Sequence, residues 1–474
     1  MKRYLMRGGV SPLDNFSPDQ IYEKNLIGAN CGNLLYAFGV YRTLKTEDVT
    51  IDMDYYGVER EFKDEDIDRI NETYDAYICP LADAFRNEFA GKLIKYANFI
   101  KRLKIPFYVI GMGLREEQLL EDGTRSFDYK FNEEALTFLK AVLSKSAMVG
   151  LRGEMTGEYL KFLGFKEEKD YSVIGCPSMY IAGRHLHIRE VPQLRNGAFS
   201  DSLKLSLNLS TKTPQSMLRF LNNQRKRFKD YYCIFQNTND LALIYYGAEY
   251  KTRFDVKNDL YPLKISNPIM KEDRGRMFIN IPTWLRFMKN RDLSVGSKLH
   301  GNIAAILGGC PSILFPIDGR MNELIRYHKF PFVTKVELEK CKTLEDVVAK
   351  ADLTSYIGAQ SANFDHFVDF IEKNGLDHIY KQDRELTIAP IDRLMAEIDY
   401  QEAGSILKCD RLEAIRRFNV LYTNAKKIAS KKKTAADAKQ AATKIRWKDI
   451  RWEDITFAEM LSYFGMWMRK RIKR

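Results

Sequence analysis

The residues best suited to chemistry in this 474-residue chain stand in one short run, Gly296-Ser-Lys-Leu-His-Gly301. A histidine titrates near neutrality and can give or take a proton. Beside His300, Lys298 offers a point charge and Ser297 a hydroxyl, a set suited to holding an anion next to a proton donor. The surrounding pattern reads as strand, tight turn, helix, strand. Leu293 to Leu299 ends a strand, and His300 opens a helix with Ile303, Ile306 and Leu307 on one face. Gly308 and Gly309 stop it, and an apolar strand follows Pro311. In an open α/β sheet, ligands bind outside the carboxyl ends of strands, where helix N-termini aim N–H groups at anions. The plainer alternative for His300 is a helix cap or a core histidine.

Other candidates share that setting. Arg152 follows a short strand and precedes a helix, either as a ligand cation or as a surface cap. Ser178, after Gly175-Cys-Pro177, offers a hydroxyl at a cleft edge, or is a turn serine. Asn30, Gly32 and Asn33 open a helix after a glycine loop, a place for an anion or an acceptor, or for simple N-capping. Asp318, Arg320 and Glu323 can bind acceptor hydroxyls or orient His300, or pair among themselves.

The elements that must position these residues alternate. In the first half, apolar or amphipathic helices are expected at 33–44, 91–103, 132–144 and 156–163. Strands are expected at 49–56, 75–80, 106–111, 147–151 and 171–175. This rhythm implies βαβ units and a parallel sheet. A polar stretch with Gly183, Pro192 and Gly197 breaks it, and a second series of strands and helices runs from Leu203. The expected fold class is α/β: two Rossmann-like, doubly wound domains facing a cleft, of the GT-B type, with a basic helical tail. The expected boundaries are 1–185, a linker at 186–203, 204–409, and the tail at 410–474.

Composition limits the class. The chain carries 75 Lys/Arg against 63 Asp/Glu, but residues 424–474 alone hold fifteen against five. The basic excess therefore belongs to the tail and does not point to a nucleic-acid-binding body. Within the tail, Phe457, Met460, Leu461, Phe464 and Trp467 share one helical face ahead of Arg469-Lys-Arg-Ile-Lys-Arg474. Such a helix suits an anionic membrane surface, through residues 450–474, or packs on the body or on a partner protein. Seven cysteines are scattered without a CxxC pair, which favours free thiols in a reducing compartment. Neither a signal peptide nor a membrane-spanning run is evident, so the expected address is the cytoplasm, with the tail on the inner face of the membrane. His185-Leu-His187 lacks further ligands at a fitting spacing, so no metal is expected.

Several of these runs together resemble one family, the polysaccharide pyruvyl transferases. Gly296 to Gly301 with Asp318-Gly-Arg-Met-Asn-Glu-Leu-Ile-Arg-Tyr-His328 resembles its C-terminal signature, although Lys298 stands where the family usually has Arg. Val149-Gly-Leu-Arg-Gly-Glu-Met-Thr156, Val173-Ile-Gly-Cys-Pro-Ser178 and Asn30-Cys-Gly-Asn33 resemble its other elements, in the expected order. Gln236 and Asp240 resemble its polar residues after the second strand of the C-terminal domain. The resemblance implies transfer of pyruvate from phosphoenolpyruvate to a sugar of a cell-surface polysaccharide or a lipid-linked oligosaccharide, forming a ketal. It implies His300 as proton donor and Lys298, Arg152, Ser297 and Gly301 at the donor, with no cofactor. It leaves Asn30, Asn33, Ser178, Asp318, Arg320 and Glu323 for the acceptor or the cleft. A GT-B-type glycosyltransferase using a nucleotide sugar is the alternative, and a non-catalytic scaffold the third reading.

Overall fold

A computed structural model describes residues 1–59, 62–254 and 256–436. The first unit is built on parallel strands in the order Val49–Met53, Lys2–Met6, Ala76–Pro80, Phe107–Ile110. A bridge between Met112 and Leu151 continues it into the parallel pair Val149–Leu151 and Tyr171–Val173. The strand Lys2–Met6 was not expected from sequence. It sits inside the sheet, and its Tyr4, Leu5 and Met6 are buried. The expected strand 49–56 stops at Met53, because Tyr55 and Tyr56 take positive φ and turn the chain towards the cleft.

The second unit has five parallel strands. Numbered along the chain, they lie in the order 3-2-1-4-5, with Leu205–Asn208 beside Leu293–Gly296 at the centre. This order reverses direction between those two strands, and such a switch point leaves a crevice at their carboxyl ends. The first sheet has its own switch between Lys2–Met6 and Ala76–Pro80. The crevices face each other across one cleft, so the chain has the two-unit α/β build of the GT-B type.

Several connections tie the units. The Asn30 loop is hydrogen-bonded across the cleft floor: Cys31 N donates to Gln236 O at 2.8 Å, and Thr238 N to Ala29 O at 3.2 Å. Beyond the second sheet, the chain returns to the first unit. In helix Ser355–Lys373, Gln360 Nε2 donates to the carbonyls of Met179 and Gly183, and Phe367 stacks on Tyr180 at 4.3 Å. Further on, Arg42, only 3% exposed, is enclosed by the returning segment. Its guanidinium donates to Asp392 at 2.7 Å, the Tyr380 hydroxyl at 2.7 Å and the Thr387 carbonyl at 2.8 Å. Residues 355–396 were expected to belong to the second unit, yet they complete the core of the first.

The last described helix is Arg411–Ala436, and Arg416 Nη1 reaches Asp19 of the first unit at 2.6 Å. The amphipathic face expected at 457–467 and the basic end lie outside the described residues. Among the described residues, no helix is long and apolar enough to cross a membrane.

Candidate active site

The turn around His300 forms for local reasons. Strand Leu293–Gly296 ends where Gly296 takes φ +139°, with no room for a side chain against the Asn208 backbone. Helix Leu299–Leu307 starts three residues later. Beneath it, Asn302 is fully buried and accepts from Asn208 Nδ2 at 2.9 Å, Ser294 Oγ at 3.1 Å and Ser312 Oγ at 2.9 Å. That network locks the helix start to three strands, and with it the direction of His300.

The cleft has a volume of about 980 Å³, and Ser297, Lys298 and His300 form part of its wall. Its lining includes ten Lys/Arg and three Asp/Glu, a strongly cationic surface. Lys298 Nζ donates to Asn237 Oδ1 at 3.1 Å. Burial lowers the Lys298 pKa, while Asp240 pulls it back up. Asp240 is itself buried and accepts from the hydroxyls of Tyr250 and Tyr261 at 2.6 and 2.8 Å. Ser297 Oγ is engaged with Thr213 Oγ1.

His300 keeps part of its ring towards the cleft, and its Nε2 stands 3.8 Å from Cys176 Sγ. Gly32 is required beside it, since a Cβ there would come within 2.8 Å of His300 Nδ1. Burial, then the charges of Arg152 and Arg320, hold the His300 pKa well below its usual value. In the free protein the ring is therefore neutral at pH 7.

Four expected contact residues do not reach the cleft. Arg152 is fully buried behind His300, over the Tyr36 ring at 5.2 Å, with Nε bonded to Gly111 O at 2.6 Å. Its Nη1 and Nη2 find no hydrogen-bond partner among the described residues. It acts on His300 through charge from behind. Glu323 is buried too, accepting from Thr156 N at 2.6 Å and Thr156 Oγ1 at 2.9 Å, and burial raises its pKa to about 7. Ser178 is fully buried, with Oγ 2.9 Å from Cys176 Sγ, and so holds the loop below the histidine. Gly301 packs inwards, where a Cβ would strike the Asn208 side chain.

The remaining candidates do line the cleft. Asn30 Oδ1 accepts from Gly32 N at 2.8 Å, and Asn33 Nδ2 donates to Ile27 O at 2.9 Å, so both shape their own loop. Asp318 caps the helix Gly319–His328 and pairs with Arg320 at 3.1 Å. Sequence reading missed Asp83, Arg86 and Arg115, which come from loops without a motif and meet at the cleft. His328, inside the signature segment but with no role expected of it, accepts from Cys176 N through Nε2 at 2.8 Å.

Three buried groups of the site give stability a definite pH dependence. His300 and His328 titrate below the usual 6.5, His328 at about 3, because burial and then Arg152 disfavour their cations. As pH falls below 6.5, the unfolded chain binds protons that these native histidines refuse, and stability drops. Glu323 opposes this, since between the usual 4.5 and about 7 only its native form keeps a proton. Two histidines outweigh one carboxyl. From pH 6.5 down to 4.5 the three groups together should therefore lower stability as pH falls. Urea midpoints across that range, compared with those of His328→Gln, measure it. An unchanged slope in the variant would remove His328 from the account.

Two parallel α/β units close on a cationic cleft with a histidine at a strand's carboxyl end, an arrangement suited to an anionic ligand. A sequence profile of the family described as polysaccharide pyruvyl transferase matches residues 30–319, and the chain belongs to that family. Searched by sequence, no curated protein matches the chain. Among solved structures, it is similar to an uncharacterised protein from Klebsiella pneumoniae (12% identity, 70% of this chain and 93% of that one, TM-score 0.35). It is also similar to HepE from Anabaena in complex with UDP and glucose (11%, 79% and 96%, TM-score 0.37). A third is sucrose-phosphate synthase from Thermosynechococcus elongatus (10%, 79% and 95%, TM-score 0.35). The fold assignment rests on the strand orders given above.

Proposed function

We propose that this protein transfers the pyruvyl group of phosphoenolpyruvate to two hydroxyls of a sugar, as a ketal, on a cell-surface polysaccharide or its lipid-linked precursor. The observation that carries this reading is His300, placed beside Lys298 at the switch point of a cationic cleft in a chain of this family. In the reaction, C3 of the enol phosphate gains a proton and C2 becomes electrophilic. One sugar hydroxyl attacks C2 and loses its proton. The second hydroxyl then displaces inorganic phosphate from C2, also losing its proton, and the ketal closes.

His300 supplies the first proton, and Lys298 offers charge to the donor carboxylate or phosphate. Ser297 and the helix N–H groups flanking it add to the anion's field. The expected work on a lipid-linked acceptor gives the basic tail a role at an anionic membrane, in the cytoplasm.

Thermal unfolding with phosphoenolpyruvate, against a panel of UDP-, GDP- and CMP-sugars, tests the donor. At 100 times its dissociation constant, phosphoenolpyruvate should stabilise the protein by about 2.7 kcal/mol. The shift should shrink in Lys298→Ala. A shift with a nucleotide sugar alone would overturn the pyruvyl reading in favour of glycosyl transfer.

A further inference from the structure

The cations of the cleft are not spread evenly. Opposite the His300 turn, one carboxylate, Asp83, is shared by three arginines. Arg115 Nη2 lies 2.7 Å from Asp83 Oδ2, Arg320 Nη1 3.5 Å from the same oxygen, and Arg86 Nη1 3.4 Å from Oδ1. Asp318 gives Arg320 a second partner at 3.1 Å, and Glu88, at the exposed rim, stands 3.5 Å from Arg115. From the facing unit, Lys212 enters the same space with its ammonium 5.8 Å from the Phe254 ring centre. Among the described residues Lys212 forms no ion pair, and the buried Nε of Arg320 has no hydrogen-bond partner.

Four cations thus meet two inner carboxylates. Like charges held this close in a partly desolvated cleft repel unless an anion joins them. Burial first, and then Arg115 and Arg320, lower the Lys212 pKa, and burial lowers that of Arg86. Planar guanidinium groups converging from several sides match the oxygens of a phosphoryl group better than a single carboxylate. The two units contribute different members: Arg86 and Arg115 come from the first, Lys212 and Arg320 from the second.

We infer that Arg86, Arg115, Arg320 and Lys212 form a phosphoryl-binding site that bridges the two units beside His300. It deepens the reading proposed above. The phosphoryl group belongs either to the donor or to an acceptor sugar that carries its own phosphate or pyrophosphate.

Calorimetric titration of the full chain with inorganic pyrophosphate, and separately with phosphoenolpyruvate, at fixed ionic strength tests it. Lys212→Ala and Arg115→Gln should each weaken pyrophosphate binding at least tenfold. If Arg115→Gln does not fold, because Asp83 loses its main partner, Lys212→Ala still decides. Saturating phosphoenolpyruvate separates the sources. Competition with pyrophosphate assigns the site to the donor's phosphate, and simultaneous binding assigns it to the acceptor's. Pyrophosphate affinity unchanged in both variants, or no pyrophosphate binding by the native protein, would overturn the site. Should phosphoenolpyruvate fail to bind while pyrophosphate binds through Lys212, the pyruvyl reading falls and the phosphoryl site stands.

Discussion

Replacing His300 with alanine should lower turnover about 10²- to 10⁴-fold, the range expected for losing a positioned general acid. The fold should survive, because the helix start is fixed by Asn302 and its partners and not by the imidazole. Donor affinity should change little, since the charges that bind it lie on other side chains. A pH signature accompanies the loss. In the free protein, burial and nearby cations keep His300 neutral. An anionic donor placed beside the ring offsets those cations and raises its pKa, so donor binding near neutrality should take up a proton. Turnover should then fall as pH rises through the raised value, because the acid form is lost. Calorimetry in buffers of different ionisation enthalpy reads the proton, and the pH profile of kcat reads the limb. In His300→Ala the proton uptake should vanish along with that limb. Near-native turnover in the variant would remove His300 from the proton transfer.

How much of this site was legible in the sequence depended on what kind of signal each residue left. The strand, turn and helix around His300 announced themselves through glycines and an apolar period, because local sterics fix that geometry. The alternating elements of both sheets were readable for the same reason. By contrast, the strand Lys2–Met6 begins with two charged residues and is only five long, too short to show its period. The helix Asp64–Thr73 buries only Ile67 and Ile70 on an otherwise polar surface, and it escaped notice. Arg152, Glu323 and Ser178 stand beside the cleft along the chain, but their side chains are buried and do not line it. Motif spacing gives a residue's position on an element and not which way its side chain points. Asp83, Arg86 and Arg115 meet Arg320 only because two units fold against each other, and no short window of sequence holds that information.

A second large effect is expected at Gly39, inside the helix Gly32–Leu44. Alanine is the better helix former by about 1 kcal/mol, and on propensity alone Gly39→Ala should stabilise the protein. Here the sign reverses. A Cβ at 39 would lie 2.1 Å from the Pro177 carbonyl oxygen and 2.6 Å from its carbon. Those are backbone atoms of the turn Pro177–Ala182, which cannot swing aside as a side-chain tip can. The helix and turn must separate, at a cost at the upper end of the 1–3 kcal/mol typical of overpacking, leaving a net loss of about 2 kcal/mol. The same turn carries Ser178 and follows Cys176, which lies against His300. A displacement on the order of 1 Å there should also lower turnover about 100-fold. Gly358→Ala is the matched control. It lies in the helix Ser355–Lys373 with nothing within 4 Å of the added carbon, and it should gain about 0.5–1 kcal/mol. Denaturant melts of the two variants give the comparison. A stabilised Gly39→Ala would mean that the turn yields freely.

The enclosed guanidinium of Arg42 has a consequence for the making of the protein. On the ribosome, Arg42 emerges 338 residues before Tyr380 and 350 before Asp392, the groups that satisfy it. Until they arrive, its charge has only water as a partner and must stay hydrated, because an unpaired buried cation is too costly to hold. The surface around Arg42 therefore stays open to water while the second unit is translated, and it is covered only when the returning segment docks. The late segment works as a fastener for the early one, so a nascent chain stalled or cleaved before it would leave its first half open to proteases.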